Sequence, residues 1–239
     1  SMPSEAWDRN EANLEREMGD GPLYINRPWR WPTVSATMYV GMTRELDAAM
    51  GELRLNGAFP DPMWTDEDTT NLLWQRYHLW RWQQRNPALP LERLRTIVEF
   101  GGGYGAMCIV ASRLGFRGSY YITDLPQMER LQDLHLPGRD LHCKVRHGSI
   151  RKPDLLISLF GLGETPVDER DAWIGDKDPR GFLFSFLGEY DHVDNTKWFT
   201  RWAQRQFERN GTLWTLEHGS KNTSHNYLTS HRGWIAHGR

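Results

Sequence analysis

The segment Ile97-Val98-Glu99-Phe100-Gly101-Gly102-Gly103-Tyr104-Gly105 constrains this chain more than any other. A short apolar run reads as a buried strand. Four glycines in the next five positions read as a loop almost without side chains, and the stretch 104–115 reads as a helix. Such a unit offers bare backbone to a ligand. The start of its helix adds N–H groups and the positive end of the helix dipole.

The rest of the chain repeats this unit. Strands are expected at 96–100, 119–123, 141–146, 154–160, 181–186 and 211–217, with a final one around 227–230. Helices fit between them at 104–115, 127–135, 166–174 and 195–209. Strands alternating with amphipathic helices specify an α/β fold, here a Rossmann-like, doubly wound, mostly parallel seven-stranded sheet. The front of the chain differs. Seven of the twelve tryptophans (Trp7, Trp29, Trp31, Trp64, Trp74, Trp80 and Trp82) lie there, among prolines and arginines. An extended arm is expected to about residue 40, then a short helix at 42–55. A longer helix should start at Thr65, capped by its hydroxyl with Asp68 reaching back, and run to Asn86-Pro87 with Leu73, Tyr77 and Trp80 on one face. The expected division is 1–94, arm and helical N-terminal extension, and 95–239, the sheet domain.

Composition narrows the partners. A formal charge of -2 supplies no global field to gather nucleic acid or an anionic membrane. Cys108 and Cys143 are too few for a disulfide framework and show no zinc-ligand spacing. No charged-then-apolar leader and no run of eighteen apolar residues occurs, so a cytoplasmic protein that does not span a membrane is expected.

Gly101-x-Gly103-x-x-Ala106 also satisfies the dinucleotide fingerprint. Three features separate the readings. Glu99, two positions before the first glycine, suits a cationic amino group and repels a pyrophosphate. Gly101, Gly103 and Gly105 alternate. Asp124 closes the next strand, in Thr123-Asp124-Leu125-Pro126, where a carboxylate can take both hydroxyls of a ribose. The pattern E-x-G-x-G-x-G with Asp124 resembles class I S-adenosylmethionine-dependent methyltransferases over about residues 95–218. The resemblance implies S-adenosyl-L-methionine as methyl donor, held by Glu99, Gly101, Gly103, Tyr104, Gly105, Asp124, Leu125, Ser149 and Phe160. Where the family often places an acidic residue after strand three, this chain has His147-Gly148-Ser149.

Methyl transfer requires alignment of the acceptor and, for a hydroxyl, removal of its proton. The signatures of adenine-N6 and cytosine-C5 methylation are absent, which favours oxygen. Candidate bases at strand ends are Glu164, His192 and His218. Five of the nine histidines fall in the last 48 residues, but none are paired at metal-ligand helical spacing, so a divalent metal is not favoured. Were one used, Glu164, Asp191 and Glu217 are where it would be held. The strand-four Gly-x-Gly-Glu segment adds a narrower resemblance to sugar O-methyltransferases, which implies a sugar or glycosylated metabolite as the small-molecule acceptor. Trp29 and Trp31 could stack on it, whereas Trp74, Trp80 and Trp82 suit an interior contact equally well. The rivals are an NAD-dependent oxidoreductase, a nucleic-acid methyltransferase using Arg27, Arg30, Arg76, Arg81 and Arg85, and a binding protein without turnover. A homo-oligomer is compatible with every reading.

Overall fold

The computed structural model describes residues 69–218 and 225–231, together with residues 12, 13, 15 and 16. The expected arm, the helix at 42–55, the Thr65 cap and the Trp29–Trp31 pair lie outside these residues.

Period-two burial builds the sheet. Along β1 (Thr96–Phe100), Ile97 and Val98 are both buried but join opposite clusters, as do Leu155 and Leu156 of β4 (Leu155–Leu159). Both faces are therefore covered, as a parallel sheet requires. One layer is α1 (Thr69–Arg85) with α2 (Ala106–Arg113) and α3 (Pro126–His135); Leu79, Trp82 and Met107 fill it. The other is α5 (Val167–Ile174) with α6 (Asn195–Asn210), where Phe199 and Trp202 meet Phe184 and Phe186. Local chemistry sets the ends of α6. The Asp194 carboxylate accepts from the Lys197 N–H at 2.8 Å, and Gly211, at φ 72°, ends the helix in left-handed backbone.

The remaining strands are β2 (Ser119–Thr123), β3 (Lys144–His147), β5 (Gly181–Leu187), β8 (Leu213–His218) and β9 (His225–His231). Their order is β3-β2-β1-β4-β5-β9-β8. All pairs are parallel except those of β9, which is antiparallel to both β5 and β8. The chain runs outward from β1 through β2 to β3 and then crosses to β4. The order thus reverses between β1 and β4, and ligands of open α/β sheets bind at such a reversal, beyond the strand carboxyl ends. No helix among the described residues is long and apolar enough to cross a membrane.

Two elements depart from expectation. β3 starts at Lys144 because the amides before it bond elsewhere: Leu141 N–H to the Arg139 carbonyl and His142 N–H to the Ser112 hydroxyl. A small hairpin, β6 (Glu189–Tyr190) with β7 (Val193–Asp194), follows β5. Its two turn residues, Asp191 and His192, both have positive φ, at 48° and 63°. Asn-Gly or Asp-Gly would have announced that turn, and neither is present.

Candidate functional site

The loops leaving β1 and β4 touch. Gly101 has a φ of 75°, and a Cβ placed on it would stand 3.1 Å from the Gly161 Cα. Only glycine accepts both the left-handed backbone and this approach. The loop is bound from within. Gly101 N–H donates to the Thr123 carbonyl at 2.9 Å, and Gly105 N–H donates to Gly102 at 2.9 Å. Gly103 N–H donates to Asp124 Oδ2 at 2.7 Å. The Gln132 amide ties both partners, donating to the Gly103 carbonyl at 2.6 Å and reaching Asp124 Oδ2 at 3.4 Å. Gln132 Oε1, enclosed in protein, accepts no hydrogen bond from the described residues.

Two carboxylates flank this loop. Glu99 is 3 % exposed, and the Tyr120 hydroxyl donates to its Oε2 at 2.9 Å. Burial pushes its carboxyl up to about 8, with the Asp124 charge adding to the rise and the Tyr120 hydrogen bond opposing it. Asp124 is lifted to about 7, chiefly by desolvation, against the Leu125 and Gly103 N–H groups that favour its ionised form. Leu125 N–H donates to Asp124 Oδ1 at 2.9 Å, and Pro126 then opens α3. Asp124 Oδ1 holds one protein N–H and retains a lone pair for a hydroxyl, whereas Oδ2 holds the Gly103 N–H and the longer Gln132 contact. Neither carboxylate forms an ion pair among the described residues. With no cation beside them both are held toward the neutral form; a cationic, hydroxyl-rich ligand would favour their ionisation, and a pyrophosphate would oppose it.

Tyr104 departs from the expected pattern. It is fully buried, its ring edge-on to His135 at 5.5 Å, and its hydroxyl accepts from the Asn71 amide at 2.8 Å. It fastens the loop to α1 and presents no surface to a ligand. At the end of β3, the Thr123 hydroxyl donates to the Gly148 carbonyl at 3.0 Å, leaving Ser149 exposed beside the β2 end.

After β4, Phe160 takes a φ of 71°, rare for a residue with a side chain, and its N–H donates to the Ser185 carbonyl at 2.7 Å. The short helix α4 (Gly161–Glu164) follows. The fully buried Arg170 clamps it, donating to the carbonyls of Gly163 at 2.9 Å and Thr165 at 2.8 Å and to Asn195 Oδ1 at 2.8 Å. Glu164 is raised by burial and is thereby poised to take up a proton.

The three candidate bases do not converge. All lie at the carboxyl edge, but β8, which ends in His218, stands three strands from β4, roughly 14 Å at the usual spacing. His218 is held by Asn226, its Nδ1 at 3.1 Å from Oδ1. His192 is exposed at the hairpin tip. His225, beyond the candidate bases, lies closer to the crevice, its ring 4.6 Å from that of Phe160. Antiparallel β9 begins at this edge, and no local pattern announces that direction.

Among the described residues no three His, Cys, Asp or Glu side chains are grouped to hold a metal. Glu217 is instead taken by Arg81 and Arg85, both of which it pairs with. That pairing also engages two of the arginines expected to form a basic face, offsetting one of their two charges, and Arg81 further lies over the Tyr227 ring at 4.3 Å. Trp82 is buried in the core shared by α1 and the sheet, and Trp74 is buried against Tyr77 and His78 of its own helix.

No protein-family model matches the chain, and no curated protein matches it. Solved structures do. The methyltransferase domain of bacterial CtHen1 is 14% identical with a TM-score of 0.46, over 68% of this chain and 100% of that one. Magnesium protoporphyrin IX methyltransferase from Synechocystis, with bound SAM, is 16% identical with a TM-score of 0.47, over 81% and 97%. An O-methyltransferase family protein from Burkholderia thailandensis is 13% identical with a TM-score of 0.42, over 80% and 69%.

Proposed function

We propose that this chain is an S-adenosylmethionine-dependent methyltransferase acting on a hydroxyl of a sugar or another small molecule. One observation carries the reading: a side-chain-poor loop at the reversal of strand order, flanked by two carboxylates, Glu99 and Asp124, that lack a cation. When bound, S-adenosylmethionine supplies an electrophilic methyl group on a sulfonium. Glu99, ionised as the cation arrives, offers negative charge to its ammonium end. Asp124 accepts from the ribose hydroxyls, with Oδ1 the oxygen that has room and Oδ2 able to exchange the long Gln132 contact for a hydroxyl. Leu125 and Ser149 flank the nucleoside, and Phe160 closes the crevice beside Gly101.

Among the bases Glu164 comes first, because it leaves the same short helix whose Gly161 touches the glycine loop. Its carboxylate accepts the acceptor's hydroxyl proton as the oxygen attacks, and burial, which raises the group, favours that uptake. His218 and His192 serve acceptors that reach toward β8 or the hairpin. A small acceptor is favoured over nucleic acid because Arg81 and Arg85 are already paired with Glu217.

Calorimetric titration decides the cofactor. S-adenosylhomocysteine should bind and NAD should not, and Asp124→Ala should weaken the former at least about tenfold through lost charge-assisted hydrogen bonds. Binding of NAD alone, or unchanged affinity in the variant, would overturn the reading. Transfer of a labelled methyl group to a panel of sugar hydroxyls, with oligonucleotides as the competing arm, tests the acceptor class.

A further inference from the structure

We propose that Cys108 and Cys143 form a thiol–disulfide exchange site, which takes a low-molecular-weight disulfide as oxidant and closes into an intramolecular disulfide stapling edge strand β3 to α2. They are the only cysteines in the chain. Folding brings them together from 35 positions apart, to an Sγ–Sγ separation of 3.8 Å.

Their surroundings differ as an exchange reaction requires. Cys143, half-buried just before β3 at the sheet edge, is reachable from solvent, whereas Cys108 is fully buried in α2. The Cys108 thiol and the Ser112 hydroxyl hydrogen-bond Cys143 and hold its thiol low, with the Arg117 charge acting the same way. That shared hydrogen bond, with burial, pushes Cys108 up. Cys143 is therefore the attacking thiolate and Cys108 the resolving thiol. Inert core packing accounts for Cys108 alone. It does not account for a half-exposed partner set beside a hydroxyl and a guanidinium.

The reaction balances. The Cys143 thiolate attacks one sulfur of the small disulfide, the S–S bond breaks, and one small thiolate leaves. Cys108 attacks Cys143 Sγ in the mixed disulfide and passes its proton to the second small thiolate as that leaves, releasing it as a thiol. Two protein thiols are oxidised and one small disulfide is reduced to two thiols. Closure to the usual ~2 Å bond takes up about 1.8 Å. The half-exposed Cys143 side supplies this movement, because Ala106 to Ser112 of α2 are all buried and a Cβ at Gly105 would already meet Leu136 at 2.7 Å.

The test uses the full-length wild-type chain with glutathione disulfide, alkylation of remaining thiols, and intact-mass and peptide analysis. The expected result is a loss of about 2 Da, protection of both cysteines, and return of both on adding reductant. The oxidised form should melt several degrees higher. Cys108→Ala should stop at the glutathione adduct on Cys143, and Cys143→Ser should take up none. Full alkylation of both thiols after oxidation, a persistent wild-type adduct, a disulfide-linked dimer, or an adduct on Cys108 in the Cys143→Ser variant would each overturn the proposal. These readouts report thiol chemistry alone and are independent of methyl transfer.

Discussion

Replacing Glu99 by glutamine isolates the charge held beneath the glycine loop. The folded carboxyl sits at about 8 against an ordinary 4.5, so the native state favours the protonated form. The contribution of Glu99 to stability is therefore fully present below about pH 4.5, declines as pH rises, and is lost once pH passes about 8. At about 1.4 kcal/mol per unit, the penalty at pH 9 has an upper bound of about 5 kcal/mol. Water entry and local relaxation reduce that to about 2 kcal/mol, a Tm change of about 4–8 °C for a chain of this size. Glutamine keeps an oxygen for the Tyr120 hydroxyl and carries no charge. The difference in Tm, variant minus wild type, should thus be about 4–8 °C more positive at pH 9 than at pH 5, measured by scanning calorimetry without ligand. Comparing two pH values removes any constant cost of the amide. At pH 9 the variant should also bind S-adenosylhomocysteine at least about tenfold more weakly, having lost the charge that faces the ammonium. A pH-independent Tm difference would refute the buried-charge argument, and equal affinities would remove Glu99 from the cofactor site.

Glu164→Gln should lower kcat by about 10²- to 10⁴-fold, while S-adenosylhomocysteine affinity stays within about twofold; equal kcat values would move the base to His218 or His192. Gly101→Ala places a Cβ 3.1 Å from the Gly161 Cα at a φ of 75°, so it should cost about 1–3 kcal/mol in chemical unfolding and weaken cofactor binding. Unchanged stability would show that the two loops separate readily. Arg170→Met removes the donor to the Thr165 carbonyl and to Asn195 Oδ1 and one of two donors to the Gly163 carbonyl, and should lower stability by about 2–4 kcal/mol. A variant as stable as wild type would mean that Asn195, which also donates to the Gly163 carbonyl at 3.0 Å, holds the α4 segment alone.

What was legible along the chain was local. Strand β1, the glycines after it and the helix after those are contiguous, so periodicity and backbone freedom announce them together. The same holds for β2 with Asp124 at its end, and for the α6 boundaries, where Asp194 caps the helix and Gly211 ends it. These determine an α/β sheet with a glycine loop at the carboxyl end of β1. The tertiary structure decided what depends on direction and distance. Antiparallel β9 lies between β5 and β8, which carries His218 away from β4 and brings His225 against Phe160. A turn with two residues at positive φ exposes His192. Arg81 and Arg85 meet Glu217, and Tyr104 turns inward to Asn71. Cys108 and Cys143 become neighbours across 35 positions. Each of these contacts forms between segments whose sequences carry no mark of one another, because burial rewards apolar and polar pairing without regard to separation along the chain. The glycine loop is thus a property of one stretch of sequence, whereas the residues gathered around the crevice beside it are assembled by the fold.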